Sequence, residues 1–320
     1  MLGFIISGVI ISIIVALLLT GFFYELISAQ FARRTYAIPD GDLIAVGERK
    51  VHLHTMGIRQ EGQPVVILES SVGANSLDWQ MVQPLVAESA QVISYDRAGN
   101  GWSDRGNVGR NAETIARELK ETLQAATIVP PYILVGHRYG GMYVRKYQEL
   151  FPDDIAGLVL VDSSHPDVFN EESNDREITR LKTNVNIFQR LGIVRLVTRR
   201  NYRAKYLNEA EKQRYVAMMM HDNPNLLAEA TPVLSEGVKL PESIDIPLMV
   251  VSRGEDIDLE RERKWGDYQR DLVSLSDNAE HIHTETTQSW IVFAEPQTIA
   301  DAILKLVNQF SPDKHDKETQ

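Results

Sequence analysis

The chain has 320 residues, of which 43% are apolar, a formal net charge of −11 and no cysteine. That length and apolar content suffice for one large core carrying an insertion. The acidic balance excludes general nucleic-acid binding, which needs a basic face against phosphate, and the missing thiols exclude disulfides, thiol catalysis and thiolate metal sites.

Residues 2–24 carry no charge and are long enough, at the helical rise, to cross a hydrocarbon core of roughly 30 Å. We expect a single membrane span within 1–30. A cleaved signal peptide fits less well, because no Lys or Arg precedes the run and the run outlasts an ordinary signal core. Arg33 and Arg34 follow it, which tilts the remaining chain toward the cytoplasmic side. Residues 43–46 and 50–55 then read as two strands, with His52 and His54 alternating onto one face; two strand histidines without further ligands make no metal site, and no cofactor is implied. Residues 64–68 form a short apolar run suited to a buried parallel strand, and 91–95 another. Residues 112–127 read as a helix with Ile115, Leu119, Leu123 and Ala126 on one face. A strand at 132–136 ends in Gly136-His137-Arg138-Tyr139-Gly140-Gly141 before helical periodicity resumes, which demands a sharp strand-to-helix turn. A strand at 156–161 follows, ending in Asp162-Ser163-Ser164-His165. Strands alternating with helices of this length give an α/β protein with a mostly parallel, doubly wound sheet.

From 167 to 240 the strand pattern stops. Ile178, Leu181, Val185, Phe188 and Leu191 make a helical apolar face, and Met218, Met219 and Met220 read as core. Between Arg190 and Lys205 stand six basic residues and no acidic one, interleaved with apolar side chains. In an acidic chain with an anchor, this segment is expected to be either a solvated face or a surface helix resting on anionic lipid through Arg195, Arg199 and Arg200. The sheet resumes at 247–252, followed by Arg253-Gly254-Glu255-Asp256, and at 280–285. The tail 311–320 is polar and expected to be disordered.

The turn at Arg138 resembles the G-H-S-x-G-G nucleophile elbow of the α/β-hydrolase superfamily, with the serine replaced. Glu69-Ser70-Ser71-Val72-Gly73 resembles an E-S-G-x-G oxyanion loop of that superfamily. Asp96-Arg97-Ala98-Gly99-Asn100-Gly101-Trp102-Ser103 resembles its D-R-x-G-x-G-x-S turn, whose Asp-Arg pair would brace the loop. The resemblance covers roughly residues 40–310 and implies an α/β-hydrolase fold with a helical cap inserted after the sixth strand. With the apolar run and the polar tail, it divides the chain into an expected anchor (1–30), core (31–166), cap (167–240), core (241–310) and tail (311–320). It further implies oxyanion amides at Ser71 and Tyr139, the nucleophile position at Arg138 and the triad acid at Asp256. On a family pattern H-x-x-x-E-x-x-x-H-x-x-x-x-x-x-P aligned to His281, Glu285 and Pro296, the triad base falls at Ser289.

Arginine stays protonated and a serine hydroxyl is no general base, so the triad positions Arg138, Asp256 and Ser289 cannot run serine hydrolysis. The sequence therefore points to a membrane-anchored, non-catalytic pseudohydrolase that binds a small ligand, an anion included, or a protein partner in the old pocket. Two alternatives stand beside it. One is an active carboxylic ester hydrolase using Ser70, Ser71, Ser163 or Ser164 with His137 or His165; the other is a scaffold subunit with a filled pocket. An ion pair between Arg138 and Asp256 is expected across the space of the missing imidazole.

Overall fold

The computed structural model describes residues 2–36, 38–106, 109–170, 187–200, 205–236, 243–254 and 259–310. Asp256, the apolar positions Ile178, Leu181 and Val185, and the tail 311–320 lie outside them. The chain divides into two compact units, one of Met1–Pro39 with Asn174–Pro224 and one of Asp40–Ser173 with Asn225–Gln320.

The strands are β1 (Asp42–Val46), β2 (Arg49–Met56), β3 (Val65–Glu69), β4 (Val92–Tyr95), β5 (Tyr132–His137), β6 (Ile155–Val161), β7 (Leu248–Ser252) and β8 (Ala279–His283). The helices are α1 (Leu2–Thr35), α2 (Gln83–Ala87), α3 (Ala112–Ala125), α4 (Gly140–Leu150), α5 (Asp167–Asn170), α6 (Ile193–Arg199), α7 (Glu209–Glu236), α8 (Glu260–Val273), α9 (Ile291–Ala294) and α10 (Pro296–Val307).

The larger unit holds one mixed eight-stranded sheet in the order β1-β2-β4-β3-β5-β6-β7-β8. β2 runs antiparallel to β1 and β4, and the strands from β4 to β8 pair in parallel. The residues of β3, β5 and β7 are buried throughout, which is why these runs read as continuous Val, Ile and Leu rather than alternating with polar residues. α3 starts where the Asn111 side chain accepts from the Thr114 amide at 2.9 Å. It buries Ile115, Leu119 and Leu123 in the core, the face that the periodicity predicts. Parallel strands carry all their C-terminal ends to one edge, and the elbow, the oxyanion loop and Asp162 all lie at that edge.

The smaller unit contains α1, α6 and the first part of α7. α1 runs unbroken for 34 residues. From Ile5 to Thr20 it is exposed all round. Beyond Gly21 one stripe, Gly21, Tyr24, Glu25, Ser28, Ala29 and Ala32, is half-buried, at the three- and four-residue spacing of one helix face. Met218 and Met220 are buried, as a core reading requires.

His52 is a structural residue. Its Nδ1 lies 2.8 Å from Asp96 Oδ2 and its Nε2 2.7 Å from the Asp40 carbonyl, both acceptors, so only the doubly protonated ring donates to both. Asp96 also accepts from the amides of Ser76 (2.7 Å) and Trp102 (2.9 Å). Burial opposes its charge, but the hydrogen bond and charge of His52 and the two amides outweigh burial and hold its pKa below the usual carboxylate value. A depressed pKa stabilises the fold above the unfolded value of about 3.9 and loses that contribution as pH falls through the folded value. Asp96→Asn is expected to cost roughly 3–5 kcal/mol at pH 7. In urea unfolding, the gap between variant and parent should narrow as pH drops below about 4.

Candidate functional site at the elbow

β5 delivers Arg138 into the turn with φ at +50°, in the left-handed region, where a side chain with a Cβ costs roughly 1–2 kcal/mol. The turn closes because its glycines allow contact. A Cβ on Gly136 would lie 2.6 Å from the Gly141 backbone, one on Gly140 would overlap the Glu69 carbonyl, and one on Gly141 would overlap the Ser163 hydroxyl. The Arg138 amide donates to the Val161 carbonyl at 3.0 Å, and the Arg138 carbonyl accepts from the amides of Gly141 (3.1 Å) and Ser164 (3.0 Å). The elbow is thus held from both sides by β6 and α4, independently of the side chain at 138.

Arg97 organises the oxyanion loop. Its Nε and Nη2 donate to the Glu229 carboxylate at 2.9 and 2.7 Å, and Nη2 also donates to the Ser71 carbonyl at 2.7 Å. Its Nη1 donates to the Ser70 carbonyl at 2.7 Å and to the Glu69 carboxylate. A guanidinium has five N–H donors, and these five contacts use them all. Glu229 in turn accepts from the Gly73 amide at 3.1 Å and the Asn100 side chain at 3.2 Å, while the Tyr95 hydroxyl donates to Glu69. Burial pushes the Glu69 pKa up despite Arg97. Glu229 is equally buried, yet the charges and hydrogen bonds of Arg97, with Arg110 and the Gly73 amide, hold it below its ordinary value. The Asp-Arg turn therefore braces this loop from within. Ser71 and Tyr139, the expected oxyanion positions, lie on the two backbone segments that meet at Gly140.

The elbow arginine faces aromatic rings and a carboxylate. Its guanidinium lies 5.5 Å from the Trp265 ring and 5.8 Å from the Trp290 ring, within cation–π range, and its Nη1 is 3.6 Å from Asp162 Oδ2. Asp162, fully buried and itself at φ +44°, also accepts from Arg253 Nη1 and from Trp265 Nε1, each at 2.7 Å. Arg253 continues to Glu262 at 2.8 Å and lies over the same Trp265 ring. The expected partner of Arg138, Asp256, lies outside the described residues; among the described residues Asp162, at the end of the neighbouring strand, lies beside Arg138. Ser289 reaches the site through its main chain, its carbonyl lying 3.3 Å from His137 Nε2, and the His137 ring packs edge-on to Trp79 and Trp290.

Two of the four candidate substitute nucleophiles, Ser70 and Ser163, donate to main-chain carbonyls. The Ser70 hydroxyl donates to the Asn75 carbonyl at 2.9 Å and that of Ser163 to the Arg138 carbonyl at 3.4 Å. His165 lies 2.8 Å from Asp271 through Nε2, accepts the Asp167 amide at Nδ1 (3.2 Å) and stacks on Tyr268. Ser252 Oγ lies 2.9 Å from His281 Nε2 and 3.2 Å from His283 Nδ1, but Ser252 is buried within β7.

Comparison with known proteins agrees with this geometry. A family model described as alpha/beta hydrolase fold matches residues 64–189. The uncharacterized protein YqjL of Bacillus subtilis is 24% identical over 252 residues, 78% of this chain and 86% of that protein. An AB hydrolase superfamily protein of Gibberella zeae is 30% identical over 156 residues, 47% of this chain and less than half, 45%, of its relative. Among solved structures, a thermophilic esterase from Thermogutta terrifontis, malate bound, superposes with a TM-score of 0.65 at 14% identity, covering 84% of this chain and 98% of that one. A Bacillus megaterium epoxide hydrolase in complex with an inhibitor superposes with a TM-score of 0.66 at 13% identity, covering 83% and 100%. The chain has the α/β-hydrolase fold.

Within this hydrolase fold, Asp162, Arg253, Trp265, Trp290 and Glu229 were not singled out by sequence as site residues. Asp162 carried one legible signal, a carboxylate at the C-terminal end of the strand beside the elbow; Glu229 and Trp265 sit in helices and carried none. The energies of the two arginines should differ. Arg253→Ala removes a buried partner of Asp162 and is expected to cost roughly 3–5 kcal/mol. Arg138→Gly removes a longer, part-exposed contact, worth about 0–1 kcal/mol, and relieves about 1 kcal/mol of left-handed strain, so denaturant midpoints should barely move.

Proposed function

We propose that this protein is a membrane-anchored member of the hydrolase fold that does not cleave esters at its elbow and instead binds a small carboxylate or similar anion there. The observation that carries the reading is Arg138 itself: a long cation stands at the strained position where acyl-transfer chemistry needs an attacking oxygen. Its side chain is about a quarter exposed, at 23%, leaving part of the guanidinium fork accessible beside the helix N-terminus at Tyr139. The carboxylates of Asp162 and Glu262 match the charges of Arg138 and Arg253, so the cation is held without being buried alone. The serine and histidine hydrogen bonds described above do not assemble a substitute dyad among the described residues, and that favours binding over turnover.

We read α1 as a retained anchor because its extension past Gly21 is built into its unit. A Cβ at Gly21 would collide with the Leu191 carbonyl, and one at Gly192 would lie 2.9 Å from the Tyr24 ring. Glu25 accepts two hydrogen bonds from the Arg195 guanidinium, at 2.8 and 2.7 Å, with both side chains largely buried. Cleavage after the apolar run would leave Arg195 without that partner, at a cost of several kcal/mol. Arg195, expected to face lipid, is therefore occupied by the anchor helix.

Three outcomes test this. Acetate or succinate at ten times its Kd should raise the thermal midpoint of the full chain by on the order of 3–5 °C, and Arg138→Ser should remove the shift; a shift that survives it overturns the anion reading. A fluorophosphonate probe should label no serine in the parent, and ester turnover should require Arg138→Ser and Ser289→His together, since nucleophile and base act as a unit. The intact chain should stay in the membrane fraction through carbonate washing.

A further inference from the structure

A second site lies in the smaller unit, away from the elbow. Beside the C-terminal half of α1 is a cavity of about 310 Å³, lined by Tyr24, Ile27, Phe31 and Tyr36 and by Val216 and Ala217 of α7. Its walls are mainly apolar. Arg195 and Arg199 also border it, but each is held by a carboxylate, Arg195 by Glu25 and Arg199 by Glu209, both at 2.7 Å. A fully charged headgroup inside would have to compete with those carboxylates, whereas a hydrocarbon chain would not.

The position of the cavity along α1 identifies the hydrocarbon. A bilayer core of roughly 30 Å takes about 20 helical residues. α1 is exposed on every side for its first part, through Thr20, and acquires a covered face from Gly21 onward, so the cavity begins where the helix leaves the core. Nearby exposed side chains are apolar: Ile187, Phe188, Ile193, Leu196 and Val197 range from 41% to 64% exposed. Such a patch, with Arg199 and Arg200 on the same short segment, has the composition of an interfacial surface. At about 30 Å³ for a water-sized group, the cavity holds roughly ten methylene-sized groups, a segment of an acyl chain.

We propose that this cavity is a lipid site that takes one acyl chain of a bilayer phospholipid, entering along the exposed face of α1, with the charged headgroup left outside the cavity. The proposal rests on the reading of α1 as a retained anchor. In the test, the full-length protein is reconstituted in vesicles of phosphatidylethanolamine and phosphatidylglycerol doped with a phospholipid bearing a diazirine on its acyl chain. After photolysis, adducts are mapped by peptide mass spectrometry. Adducts are expected on two sets of residues, 5–20 from the bulk bilayer and 27–36 with 216–217 from the cavity. Ala217→Trp and, from the opposite wall, Ala32→Phe should each cut the cavity adducts at least fivefold while leaving those on 5–20 unchanged. Adducts confined to 5–20, cavity adducts that survive both substitutions, or cross-linking of the cavity residues to another polypeptide would overturn the lipid site while leaving the anchor intact. A chain recovered without residues 2–24 would be recognised by its mass and would overturn the anchor reading, and with it this site.

Discussion

Arg97 is the interaction on which the described site depends. A guanidinium buried this deeply is stable only when every N–H finds an acceptor, and Arg97 satisfies all five with Glu69, Ser70, Ser71 and Glu229. Two of those acceptors are main-chain carbonyls of the loop after β3, and Glu229 binds the Gly73 amide of the same loop. The shape of that loop is therefore fixed by a charge that belongs to the next strand's turn. Burial pushes the Glu69 pKa up, while the charges and hydrogen bonds of Arg97, with Arg110 and the Gly73 amide, outweigh the same burial and hold Glu229 down. A catalytic framework of this kind persists whether or not catalysis does, since removing any member leaves a buried charge exposed to low dielectric.

The elbow illustrates the separation of backbone from chemistry. Its left-handed residue, its three close glycine contacts and its hydrogen bonds to β6 are all main-chain features, and none requires serine. Arginine fits the same turn because its Cβ is the only part the turn constrains, and beyond Cβ the chain is free to seek Asp162 and the two indoles. The electrostatic result differs from a triad. A triad stores a neutral imidazole that can accept a proton; here the described residues around the Arg138 side chain hold two guanidinium groups, of Arg138 and Arg253, balanced by the carboxylates of Asp162 and Glu262.

The N-terminal helix changes character along its length. Its first stretch is uncharged and exposed from Ile5 to Thr20, and its last stretch has one covered face and a largely buried ion pair. Glu25, costly in an apolar medium if unpaired, is paired with Arg195 where the covered face begins.

Much of this was determined by sequence alone. Short apolar runs and period-two and period-3.6 patterns are local, so the eight strands, α3 and the elbow were legible to within a residue or two, and the motif around Arg138 identified the turn. The uncharged run at the N-terminus established a helix long enough to span a bilayer, though not that it continues to Thr35 with a covered face. Tertiary structure decided the partners. Arg138 lies beside Asp162 at the end of the neighbouring strand, Arg195 meets Glu25 from 170 residues away, and Glu229 closes a network 132 residues from Arg97. Charge pairing depends on which strand ends and helix faces are brought together, and sequence spacing carries no record of that distance.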